Sequence, residues 1–159
     1  MIAPQSDVTV RVRSELLGDL DVSVDQVISF AQGLPGFPEG RQYGLLPTGR
    51  DGVFWLQSLD FTALSFLLID PFQFFPNDFV IELSDEDIAR IGSSEESEIL
   101  VLAIVTLGAR LDESATANLR APILFNLKSR TAHQSIRADD RFNVREPIDP
   151  NAITGQLAS

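Results

Sequence analysis

Short strand-like segments dominate the pattern of apolar and polar positions along this chain, and the first two alternate with a period of two. Val8-Thr9-Val10-Arg11-Val12-Arg13 alternates, and so does Leu20-Asp21-Val22-Ser23-Val24 after Gly18-Asp19, which predicts a first β-hairpin. Residues 26–30 form a further apolar stretch, closed by the dense turn signal Gly33-Leu34-Pro35-Gly36-Phe37-Pro38. Residues 42–46, 53–59 and 64–69 predict three more short strands, and residues 79–83 another. Residues 99–107 are almost continuously apolar, as expected of a strand buried on both faces. Residues 123–127 and 134–137 flank Lys128-Ser129-Arg130-Thr131 and predict a last hairpin. One helix is expected. Ser84 can cap it, Asp85, Glu86 and Asp87 load the positive end of its dipole, and Gly92 can end it. Ile88 and Ile91 would face the sheet, and residues 111–119 could add one more helical turn. Nine to ten short strands with turns between them predict a mainly β fold, a small antiparallel sandwich or barrel-like domain. We expect an N-terminal extension over residues 1–7, one β domain over 8–148 and a flexible tail over 149–159.

Composition narrows the function. At 159 residues, 44% hydrophobic and 22% charged, the chain can bury a core. The N-terminal residues carry charges where a signal peptide needs an apolar core, so a cytoplasmic location is expected. No apolar run approaches the roughly 20 residues of a membrane helix. The absence of cysteine removes disulfides and thiolate metal sites. Net charge is −11 and unevenly spread: between Asp78 and Glu98 eight acids face Arg90 alone, whereas residues 110–145 hold seven bases and four acids. Such an acidic chain repels phosphates, which argues against nucleic acid as a direct ligand and favours a basic protein partner.

Candidates for catalysis are few. His133 is the only histidine and reads as a surface residue near Arg130 and Arg137. There is no phosphate-binding GxxxxGK[ST] motif, and Gly33-Leu34-Pro35-Gly36 has proline where a phosphate cradle needs an N–H. The acids around Ser84 lack the spacing and the glycine of a Ca²⁺ loop. No cofactor or metal is expected. The segment Asp70-Pro71-Phe72-Gln73-Phe74-Phe75-Pro76-Asn77-Asp78-Phe79 holds four phenylalanines and two prolines. We read it as a proline-forced corner between strands, too crowded to bury every ring, with at least one of Phe72, Phe74, Phe75 and Phe79 left partly exposed for a partner. Phe72, Phe75, Asp78, Glu82, Asp85, Glu86 and Asp87 are the candidate partner-binding residues. Gly33, Pro35, Gly36 and Pro122 are candidate turn-makers, and Asn118 a residue that could hold a loop by side-chain hydrogen bonds.

Four ordered blocks carry a resemblance. Ile28-Ser29-Phe30-x-x-Gly33-Leu34-Pro35-Gly36-Phe37 resembles the IxFxxGIPGF stretch of the bacterial flagellar assembly factor FliW family. Asp70-Pro71-Phe72-x-Phe74-Phe75-Pro76 resembles its NPFxFFPDY segment, with Asp70 in place of Asn and Asn77 in place of Asp. Residues 100–106 and 116–123 are similar to its LVLAIVT and TANLxAPI blocks. The resemblance spans residues 8–148 and implies a non-enzymatic protein with a β-barrel-like fold, a monomer when free. It implies two partners: CsrA, a small RNA-binding dimer that represses translation of flagellin mRNA, and flagellin itself, exchanged in a partner switch. Two alternatives stay open. One is a flagellin-specific chaperone without CsrA antagonism; the other, from a different class, is a carboxylate-based small-molecule enzyme on a β-scaffold, which would need a deep pocket with convergent carboxylates.

Overall fold

The computed structural model describes residues 8–92, 99–107, 115–137 and 141–154. The predicted first hairpin forms, β1 (Thr9–Ser14) against β2 (Gly18–Ser23), as a separate two-stranded ribbon. A 3-10 turn at Val24–Gln26 leads into β3 (Val27–Phe30), followed by β4 (Gln42–Pro47), β5 (Val53–Ser58) and β6 (Ser65–Ile69) as an antiparallel meander. Then come β7 (Ile99–Thr106), β8 (Ala115–Ala117), β9 (Ile123–Asn126), β10 (Thr131–Gln134) and β11 (Glu146–Ile148). The large sheet runs β11-β8-β7-β6-β5-β4-β3-β10-β9, and β9 pairs back onto the first half of β7. Seven strands therefore close into a barrel, with β8 and β11 continuing outward from β7. Closure leaves no open edge on those seven strands. One barrel pair, β3 with β10, is parallel.

Two apolar clusters follow from the two faces of the barrel wall. Ile28, Phe30, Tyr43, Leu45, Leu56, Leu68, Leu102, Ile123, Phe125 and Ala132 come from all seven barrel strands and fill the interior. Their neighbours of opposite parity, Val53, Leu67, Ile69, Val101, Ala103, Val105 and Leu124, form an outer cluster with Phe79, Ile91, Phe142 and Ile153. Strand β7 supplies both sets, which is why its sequence is apolar without alternation.

Several expectations change here. The aromatic segment opens with a short helix, α1 (Pro71–Phe74), not a plain corner. Asp70 caps it by accepting from the Phe72 N–H at 2.9 Å, and Pro71 sits at the first helical position, where a missing N–H costs nothing. Residues 79–83 keep an alternating burial pattern but join no sheet, because the chain runs over the outer cluster without a strand beside it. The expected helix around residue 115 is instead strand β8; residues 111–114 lie outside the described set. The expected tail at 149–159 begins with α3 (Pro150–Thr154), whose Ile153 is fully buried in the outer cluster, so at least its first part is anchored by apolar burial. Among the described residues no helix is long and apolar enough to cross a membrane.

Candidate protein-binding surface

The predicted helix α2 (Asp85–Ile91) builds one wall of a charged cleft. Its start is a reciprocal capping box: Ser84 Oγ accepts from the Asp87 N–H at 3.0 Å, and Asp87 Oδ2 accepts from the Ser84 N–H at 3.2 Å. Gly92 ends it in the left-handed conformation, at φ 70°. Ile91 packs into the outer cluster, and its carbonyl accepts from Asn126 Nδ2 at 3.0 Å and Thr131 Oγ1 at 3.2 Å. Those two bonds tie the helix C-terminus to the barrel. Between helix and barrel, His133 Nε2 stands 3.5 Å from Asp87 Oδ1.

Opposite α2 lies the turn at residues 33–38, and the floor comes from β10 and the chain after it. The cleft measures about 600 Å³ and holds acids Glu82, Glu86 and Asp87 together with Arg90, His133, Arg137 and Arg141. Glu86 pairs with Arg90 at 2.9 Å one helical turn away. The guanidiniums of Arg137 and Arg141 both lie over the Phe142 ring, at 5.6 and 5.7 Å from its centre. The arrangement is a charged, open cleft. Glu86 faces Arg90 and Asp87 faces His133, and among the described residues no group of acids and histidines could hold a metal ion.

The candidate residues separate into distinct environments. Asp78, Glu82, Asp85 and Glu86 are all exposed within residues 78–86, an acidic flank in sequence, and Glu82 and Glu86 also line the cleft. Asp87 is buried and engaged by the helix cap and His133, so the structure corrects its placement among the partner-facing residues. Phe72 is the ring left open, at 43% exposure, stacked edge-on against Phe79. Phe75 is half-buried against the outer cluster, and Phe79 is buried. Gly33 and Gly36 both adopt positive φ in the turn that forms the opposite wall, Pro35 is exposed there, and Pro122 is buried at the start of β9. Asn118 Oδ1 accepts from the N–H groups of Arg120 and Ala121, holding the loop as its type suggests. Glu95, Glu96 and Glu98 lie outside the described residues.

His133 is not the surface residue the sequence suggests, because β10 turns its ring under α2. Burial pushes its pKa below the usual 6.5, against the opposing pull of Asp87 and Glu86. Between that lowered value and 6.5 the unfolded chain binds a proton that the folded chain does not. Stability therefore falls as pH drops through 6.5, and the loss is complete below the folded value. Urea midpoints at about pH 7.5 and about pH 5.5 should differ, and His133→Gln should shrink that difference. An unchanged difference in the variant would assign the pH response to other groups.

Sequence reasoning missed the contribution of Arg90, Arg137 and Arg141 to this cleft. Their spacing carries no periodic signal, since they converge only through the closure of β10 against β9 and the return of the chain at Phe142.

Comparison with known proteins agrees with this architecture. Residues 11–148 match the family described as FliW protein. A flagellar assembly factor FliW from Treponema denticola is 33% identical over 139 residues, covering 87% of this chain and 93% of its own. One from Geobacillus sp. is 31% identical over 144 residues, covering 91% and 99%. A crystal structure of the flagellar assembly factor FliW superposes with a TM-score of 0.78 at 30% identity, over 87% of this chain and 96% of that one. With the barrel, the four sequence blocks and near full-length similarity in agreement, the chain belongs to the FliW family.

Proposed function

We propose that this protein is a non-enzymatic flagellar assembly factor that binds CsrA and flagellin by turns, so that flagellin supply governs translation of flagellin mRNA. The relatives' names support the assembly role. The observation that carries the CsrA arm is the exposed flank of Asp78, Glu82, Asp85 and Glu86, backed by a net charge of −11. A basic RNA-binding dimer is attracted to such a flank. Once docked, its RNA surface shares space with fixed negative charge, which disfavours phosphate approach. CsrA bound here loses RNA without its RNA-contacting residues being covered.

The electrostatic share of this effect is screened beyond about 8 Å at physiological ionic strength. Changing Asp78 and Asp85 to Asn and Glu82 and Glu86 to Gln should weaken inhibition of CsrA–RNA binding severalfold at low salt, and much less at high salt. Asp87 stays intact because the helix cap depends on it. Equal inhibition by the neutralised variant and the parent at low salt would remove the acidic flank from the mechanism. A flagellin-specific chaperone without CsrA antagonism would show binding to flagellin alone in the same titrations.

A further inference from the structure

A second concavity adjoins the charged cleft and shares Leu34, Pro35, Gln134 and Ile136 with it. It measures about 350 Å³ and is apolar: Phe37 and Phe66 stack edge-on at one side, and Ile104, Ile136 and Val144 form the remainder. Ile136 is 65% exposed and Val144 51%, so large aliphatic groups stand in water here without a covering element. On a chain with 23 acids, none among the described residues lines this groove. Its one charged residue is Arg120, whose Nε donates to the Phe142 carbonyl at 2.9 Å. That bond fixes the guanidinium plane, and among the described residues no hydrogen bond engages the two terminal nitrogens.

Two features select the occupant. At the base of the groove Ile104 pairs with Leu68 of β6 and its carbonyl accepts from the Asn118 N–H, and Gln134 pairs with Ile123 of β9, so an added strand would find little free ladder to join. A segment that satisfies its own backbone and binds through side chains is a helix. A fixed guanidinium whose terminal nitrogens are not engaged among the described residues fits a carboxylate, which it can grip with two parallel bonds.

We propose that this groove docks an amphipathic helix of a partner protein, its aliphatic side chains on Phe66, Ile104, Ile136 and Val144 and a flanking carboxylate on Arg120. The proposal deepens the reading of this chain as a protein-binding one. It assigns a helix with an acidic flank to a surface distinct from the flank of Asp78 to Glu86.

The test uses the full chain and three helical peptides of about 18 residues. They share one leucine stripe and carry glutamates, lysines or glutamines beside it. Amide shifts are followed at physiological salt. The glutamate peptide should bind saturably and perturb Phe66, Ile104, Ile136 and Val144, although peptide and protein are both acidic. Ile136→Glu should weaken it about tenfold or more, and Ile136→Lys clearly less, with unchanged spectra elsewhere showing an intact fold. Arg120→Gln should erase the advantage of the glutamate peptide over the glutamine peptide. A lysine peptide seated in the groove as tightly, or no saturable binding there, overturns the proposal. Flagellin and CsrA are titrated separately. If neither binds while the glutamate peptide maps to the groove, the function proposed above fails and the docking surface stands.

Discussion

Gly33→Val should cost about 3 kcal/mol of unfolding free energy, the largest effect expected of a single substitution in the turn facing α2. Two causes add. Gly33 sits at φ 66°, a conformation that β-branched residues reach only under strain. A Cβ there would also meet the Phe37 carbonyl oxygen, Pro38 Cα and the Pro38 carbonyl oxygen, each at 2.8 Å. All three are backbone atoms, so no side chain can swing aside and the turn itself must open. Leu34 and Pro35 line both the charged cleft and the apolar groove, and the variant should therefore lose partner binding along with stability. Gly33→Ala, with one carbon fewer to place, should fall between valine and the parent. A urea midpoint for Gly33→Val matching the parent would mean the turn is free to relax.

Asn126→Ala should lower stability by about 2 kcal/mol and free the C-terminal end of α2. Asn126 is buried at the end of β9 and makes three bonds. Its Nδ2 donates to the Ile91 carbonyl, and its Oδ1 accepts from the N–H groups of Lys128 and Ser129 at 3.1 and 3.2 Å. One side chain thus shapes the β9–β10 turn and fastens the acidic helix. Thr131 keeps its own bond to Ile91, so α2 should loosen and not detach. Amide exchange should show this as faster exchange across residues 88–92, with little change in the β4 to β6 meander. Uniform acceleration across the barrel would instead indicate global destabilisation.

How far the sequence anticipates the molecule depends on the range of the interaction. Strands β1 and β2 are visible in local alternation, and β5, β6 and β7 in their short apolar runs, because each reports which faces it buries. The cap at Ser84 and the stop at Gly92 are equally local. Long-range pairing leaves no such mark. The closure of β9 onto β7 and the parallel pairing of β3 with β10 join segments tens of residues apart. They turn a row of hairpins into a barrel. Residues 79–83 show the converse: the alternation is present, yet no neighbouring strand exists, so a strand pattern becomes an extended cover.

The aromatic segment shows how one residue type can be read two ways. Proline excludes a helix interior, but Asp70-Pro71 is also the signature of a helix start, and that second property decides the structure. Short capped turns such as α1 and α3 are set by two or three residues and vanish in any periodicity window. The site was partly legible for the same reason. Asp78, Glu82, Asp85 and Glu86 stand out because they are close in sequence, and all four are exposed, with Glu82 and Glu86 lining the cleft. Asp87 reads as one more acid in that run, although its position three residues after Ser84 commits it to the cap. The arginines of the cleft come from α2 and the chain after β10, and the apolar residues of the groove from the turn at 33–38, β6, β7 and the chain after β10, so only the closed barrel assembles them.

Whether this chain couples flagellin to translation can be tested in one titration. Labelled flagellin leader RNA bound to CsrA is followed by fluorescence anisotropy while the protein, and then flagellin, is added. The account predicts that anisotropy falls as the protein strips RNA from CsrA and recovers as flagellin withdraws it. Anisotropy that stays constant through both additions would contradict it.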